Sequence, residues 1–168
     1  MGANIGMYSW EVLKNSPKRK ILAFEPDPLN FELLETTLGE YDFGNIEIYP
    51  FALSNKNQKV SFYQDTITSA TGNICGSDKT WIENYLGTNA SKISIETKRL
   101  DSFKGEELVP SLIKVDVEGH ELKVLEGAEA IIAQTKPIMI IESFPPKQMN
   151  VLNFLYQFGY KLYDADQS

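Results

Sequence analysis

The sequence predicts an α/β fold, a doubly wound and mostly parallel sheet with helices on both faces. Three observations predict it. Short apolar runs end in a carboxylate: Ile21 to Phe24 before Glu25, Leu112 to Val115 before Asp116, and Ile138 to Ile141 before Glu142. Each run leads into a segment whose apolar residues recur at helical spacing. A glycine-rich turn, Met1-Gly2-Ala3-Asn4-Ile5-Gly6, also runs into a helical pattern and precedes the acid Glu25 by about twenty residues.

The elements follow in order. Residues 5–15 read as a helix with Ile5, Tyr8, Val12 and Leu13 on one face, stopped by Pro17. Ile21 to Phe24 is continuously apolar, as in a strand buried on both faces. Asp27 offers an N-cap, Pro28 a first-turn proline, and Phe31, Leu34 and Leu38 an apolar stripe that ends at Gly39. Ile46 to Tyr49 alternates as a strand, and Pro50 to Ser54 reads as a loop. Val60 to Tyr63 and Ile93 to Thr97 alternate and predict a pair of strands inserted in the middle of the chain. Between them, residues 64–92 carry no periodicity and read equally as a lid over a binding site or a surface insertion; Trp81 and Tyr85 there line an acceptor pocket or simply pack.

Leu112 to Val117 is the next strand, with Ile113, Val115 and Val117 on one face and Lys114 and Asp116 on the other. Gly119 breaks it. A single helix to about Ala133 follows, burying Leu122, Leu125, Ala128 and Ile132. Pro145 and Pro146 open a last helix with Val151, Phe154, Leu155 and Phe158 on one face. Tyr160 to Tyr163 reads as a closing strand.

Length and charge narrow the function. The 168 residues form one domain, 42% hydrophobic, with net charge −7. That charge argues against nucleic acid or an anionic membrane as partner. The single cysteine, Cys75, excludes an internal disulfide, suits the reducing cytoplasm and has no activating base in view. One cysteine and one histidine also cannot build a Cys- or His-rich metal centre. Glu118, Glu121 and Glu142 are the acids that a divalent cation would use, and the favoured reading has no metal. No apolar run reaches the roughly 18–20 residues of a membrane span.

The glycine turn limits the cofactor. A dinucleotide fingerprint wants glycine where Asn4 stands, and a phosphate loop wants Gly-Lys-Ser/Thr, which is missing. A turn of the form G-x-x-x-G with an acid after the following strand suits adenosine without phosphates, as in S-adenosylmethionine (SAM). A nucleotide-dependent oxidoreductase is the weaker reading.

Four segments, in this order, decide between these: Gly2-Ala3-Asn4-Ile5-Gly6, Ala23-Phe24-Glu25-Pro26-Asp27-Pro28, Phe51-Ala52-Leu53-Ser54 and Lys114-Val115-Asp116-Val117-Glu118-Gly119-His120-Glu121. Leu100-Asp101 and Leu125-Glu126-Gly127-Ala128 add to them. With these the chain resembles the FkbM-type SAM-dependent methyltransferases over nearly its whole length. The resemblance implies a Rossmann-like domain that transfers methyl from SAM, leaving S-adenosylhomocysteine, to a hydroxyl on a sugar or small natural product. It implies a cofactor site at Gly2, Ala3, Asn4, Ile5, Gly6, Glu25, Pro26, Ala52, Leu53 and Asp116. It places Asp116, Glu118 and His120 at the reacting methyl, with Asp116 or His120 as base and the other orienting substrate or cofactor. The family's glycine turn follows a strand ending in aspartate, and that strand is missing here. An alternative reading is therefore a truncated, weakly active domain, or one that assembles through the gap as a homodimer.

Overall fold

The computed structural model describes residues 1–41, 44–64, 72–74, 91–103 and 108–164. In chain order the helices are α1 (Met7–Asn15), α2 (Pro28–Glu40), α3 (Glu121–Glu126), α4 (Glu129–Thr135) and α5 (Gln148–Gln157). The strands are β1 (Ile21–Phe24), β2 (Ile46–Tyr49), β3 (Ala52–Leu53), β4 (Gln58–Gln64), β5 (Gly72–Ile74), β6 (Ser91–Lys98), β7 (Leu112–Val115) and β8 (Ile138–Ile141). The expected lid falls largely on residues 65–71 and 75–90, which lie outside the described residues, as do Cys75, Trp81 and Tyr85.

Parallel pairing dominates around the strand ends that carry the acids. β1 pairs β2 with Ile21 opposite Ile46, and β7 pairs β8 with Leu112 opposite Ile138. The inserted hairpin is present: β4 and β6 run antiparallel from Gln58 opposite Thr97 to Gln64 opposite Ser91, with β5 beyond β4. Pro50 to Ser54 is not wholly a loop. Ala52 and Leu53 form β3, parallel to the end of β6, and this short bridge ties the antiparallel sheet to the rest.

Among the described residues no strand lies between β1 and β7. The first three residues bond to both at their carboxyl ends. The Met1 nitrogen donates to the Lys114 carbonyl (2.9 Å), and the Asp116 N–H donates to the Met1 carbonyl (3.2 Å). Bonds to the residues on either side of one partner, here Val115, are those of a parallel ladder. The Ala3 N–H donates to the Phe24 carbonyl (3.0 Å), so the glycine turn is fixed to the tips of both strands.

Packing explains why some expected boundaries moved. The core gathers Phe24, Phe51, Leu53, Val115, Leu125, Ile132 and Leu155, with Val115 and Ile132 wholly buried. The helix expected from Gly119 to Ala133 is two helices. A Cβ on Gly127 would lie 2.0 Å from the Ser54 carbonyl oxygen, so the chain passes close beneath residue 54 just where it turns from α3 to α4. Asp101 restarts the helix: its carboxylate accepts from the Ala130 and Ile131 N–H groups, both at 3.1 Å. Leu122 is only partly buried, and Val124 and the carboxylate of Glu121 are buried in its stead. Gly127→Ala should therefore lower the stability by about 1–3 kcal/mol. A shift of the urea midpoint reads this; an unchanged midpoint would contradict the close approach.

Two further expectations need correction. In α1 only Leu13 is buried, whereas Tyr8 is 67% and Ile5 43% exposed. The helix starts at Met7, which leaves Ile5 in the turn outside it, and the Tyr8 ring lies 4.2 Å from the Lys114 ammonium. Tyr160 to Tyr163 forms no strand. Tyr160 and Leu162 pack on the core through their side chains, and the Tyr160 hydroxyl donates to the Pro137 carbonyl (2.9 Å).

Candidate active site

The turn between Met1 and Met7 is built from left-handed residues. Gly2, Asn4 and Gly6 have φ of 69°, 51° and 87°. Asparagine tolerates this conformation because its short amide bonds locally, and the Asn4 Oδ1 accepts from the Ile5 N–H (2.7 Å). At Gly2 no other residue fits, since a Cβ there would sit 1.8 Å from the Asp116 carbonyl oxygen. The result is backbone brought against the end of β7, with Gly2 and Asn4 at the wall of a cleft.

Glu25 closes one side of this cleft. It is 5% exposed. Its Oε2 accepts from the Asn4 N–H (2.7 Å) and its Oε1 from the Asp27 N–H (2.9 Å). Burial pushes its pKa above the ordinary carboxylate value, and the two backbone donors oppose the rise. Each oxygen keeps a further lone pair for a ligand hydroxyl. Asp27 caps α2 as expected, accepting from the Leu29 N–H (2.8 Å), and also accepts from the Gln64 amide (2.9 Å). That second bond pins the antiparallel sheet to the tip of β1.

The opposite wall follows β7. Lys114 and Asp116 form an ion pair at 2.7 Å. Glu118 and Gly119 then take φ of 51° and 88°, which reverses the chain and brings His120 back to the cleft. Burial raises the Glu118 pKa, helped by the charges of Asp116, Glu142 and Glu121. His120 is half-buried, and its Nε2 lies 2.9 Å from Ser54 Oγ. Burial, reinforced by Lys123 and Lys147, lowers its pKa to about 4, against the pull of Glu126. The imidazole is neutral near pH 7.

This shift links to stability. The folded pKa of about 4 lies below the ordinary 6.5, so between these values the unfolded chain binds a proton that the folded chain does not. The His120 contribution is complete above pH 6.5 and is lost as the pH falls toward 4. Thermal midpoints measured across that window should fall less in His120→Asn than in the parent; equal falls would contradict the depressed pKa.

Gly2, Asn4, Glu25, Pro26, Ala52, Leu53, Asp116, Glu118 and His120 line one cleft. Ala3, Ile5 and Gly6 do not line it. They hold the turn: Ala3 bonds to β1, the Ile5 carbonyl accepts from the Trp10 indole (2.8 Å), and Gly6 starts α1. Ser54, at the end of the segment Phe51-Ala52-Leu53-Ser54, stands beside His120. Its sequence neighbours give no hint of a histidine 66 residues away. Phe62, Gly72 and Ile74 of the antiparallel sheet also line the cleft, and nothing in their local pattern marks them. Among the described residues no group of three or more His, Cys, Asp or Glu side chains is placed to hold a metal ion, and no helix is long and apolar enough to cross a membrane.

Comparison with known proteins gives the family and the fold. The 2-O-methyltransferase NoeI of Sinorhizobium fredii is 27% identical over 151 residues, covering 81% of this chain and 58% of the relative. The hexuronic acid methyltransferase AglP of Haloferax volcanii is 31% identical over 135 residues, covering 76% and 47%. The chain thus spans about half the length of these relatives. The crystal structure of an FkbM methyltransferase from Methylobacillus flagellatus superposes with a TM-score of 0.67 at 19% identity, over 94% of this chain and 36% of that one, and shares its fold. The profile of the methyltransferase FkbM domain matches residues 1–162, and the chain belongs to that family.

Proposed function

We propose that the chain is a SAM-dependent O-methyltransferase acting on a hydroxyl of a sugar or small natural product. The observation that carries this is the facing pair of walls in one cleft: Glu25 with the left-handed turn on one side, Asp116 and His120 on the other. NoeI and AglP, named for 2-O and hexuronic acid methylation, support the acceptor class. The single cysteine fits work in the cytoplasm.

The residues fit SAM. The side chain that any residue but glycine would add at position 2 would fill the space where the backbone meets β7. Glu25 supplies a buried acceptor for two ribose hydroxyls, and the Pro26, Ala52 and Leu53 surfaces line the same cleft. Asp116, whose backbone lies beside Gly2 and whose carboxylate pairs with Lys114, would hold the ammonium of the methionyl group. When bound, SAM supplies a sulfonium methyl whose C–S bond breaks, with its electron pair left on sulfur, as the acceptor oxygen forms the new C–O bond. The protein's part is mostly placement of the hydroxyl in line with that bond. His120, neutral at working pH, takes the hydroxyl proton. Glu118, held near Asp116 and Glu142, orients the acceptor.

The test is release of S-adenosylhomocysteine from SAM with a panel of neutral sugars, hexuronic acids and phenolic natural products. Release that depends on a hydroxyl acceptor supports the reading; release only with amine or thiol acceptors would overturn it.

A further inference from the structure

We propose that the antiparallel sheet inserted in the middle of the chain is part of the cofactor site: Ile74, set against Phe62 and Ala52, forms the apolar wall on which the purine of SAM packs. This rests on the SAM reading above for the ligand and on the strand register for the wall.

The register builds the wall. β4 and β5 pair Phe62 with Ile74 and Gln64 with Gly72. Directly paired residues share a face of a sheet, and so do residues two apart along a strand. Phe62, Gln64, Gly72 and Ile74 therefore stand on one face. A Cβ on Gly72 would lie 2.1 Å from Phe62 Cζ, so the missing side chain is what lets the Phe62 ring lie across that face. Phe62 and Ala52 share a buried cluster against which Ile74 packs. They are 4% and 8% exposed, whereas Ile74 is half-buried and offers the larger surface. Ala52, Phe62, Gly72 and Ile74 all line the cleft.

The fastening of this face selects the part of the ligand it meets. The Gln64 amide donates to the Asp27 carboxylate (2.9 Å), and the Asp27 N–H donates to the Glu25 carboxylate (2.9 Å). The insert is thereby tied to the arm that takes the ribose hydroxyls. A purine is bonded directly to that ribose, so it lies next to the same arm. Its flat face gains from apolar contact. Asp116, Glu118 and His120, which also line the cleft, are polar groups that suit the methionyl end and the acceptor hydroxyl.

Ile74 is the isoleucine that lines the cleft among the described residues, which gives the test its handle. The protein is prepared with protonated isoleucine methyls and is otherwise deuterated, and S-adenosylhomocysteine is the probe. Irradiation of the methyls should saturate the purine H2 and H8 more than the methionyl protons, and the effect should vanish in Ile74→Val. Calorimetry should show the dissociation constant of the same compound rising on the order of ten-fold in Ile74→Ala. A purine that stays unsaturated while the compound binds overturns the proposal and leaves the SAM reading standing. So does a signal that persists in Ile74→Val, since another isoleucine would then make the contact. The saturation experiment decides on the parent protein even if Ile74→Ala fails to fold. Failure of the parent to bind S-adenosylhomocysteine at all overturns the SAM reading, and the proposal with it.

Discussion

His120→Ala lowers the turnover of methyl transfer by on the order of 10²- to 10⁴-fold and leaves SAM affinity unchanged. The imidazole at the cleft is neutral near pH 7 and carries a lone pair that can take a proton. Its pKa of about 4 follows from burial and from Lys123 and Lys147. A base with so low a pKa is a weak one, and its use here is positional: it needs only to accept a proton while the C–O bond forms. The same value sets the pH dependence. The acidic limb of kcat in the parent should fall near pH 4, well below the ordinary histidine value of 6.5. Single-turnover kinetics with saturating SAM measure the first effect, and a pH series the second. A parallel loss of SAM affinity would make His120 a binding residue, and a limb near 6.5 would contradict its buried state.

Glu25→Ala weakens SAM binding by about 1–3 kcal/mol, roughly 5- to 150-fold in the dissociation constant. Two losses combine. The ribose hydroxyls lose a charged acceptor held at 5% exposure. The Asn4 and Asp27 N–H groups, now at 2.7 and 2.9 Å from the carboxylate, also lose theirs, so the turn that approaches the cofactor is released. Glu25→Gln should fall between, because an amide oxygen serves one of these donors while its NH₂ faces the other. Calorimetric titration of the three proteins reads the series. Equal affinity in all three would remove Glu25 from the site.

The strand ends were legible in the sequence because each apolar run stops at an acid. Glu25 and Asp116 stand where β1 and β7 end, and α2 begins at Asp27 and Pro28 as the cap chemistry requires. The antiparallel insert showed through its alternation, and β4 and β6 lie where that pattern put them. What escaped depended on tertiary contact. The break between α3 and α4 is set by Gly127 against Ser54 and by Asp101 reaching Ala130 and Ile131, pairs far apart in the chain. The apolar residues of α1 read as a buried stripe, yet only Leu13 finds the core. The Ser54–His120 contact joins two motifs that are separately visible and whose meeting no local pattern announces. The share of Phe62, Gly72 and Ile74 in the cleft wall likewise follows from how β3 and the Asp27–Gln64 bond fasten the antiparallel sheet beside β1.

Calorimetric titration of the purified chain with SAM and with S-adenosylhomocysteine tests the central claim most directly. The account predicts that both bind, one per chain, with micromolar or tighter affinity, and that Glu25→Ala loses much of it. Absence of binding to either compound by a chain whose folded state is verified by circular dichroism and a cooperative thermal transition would contradict it.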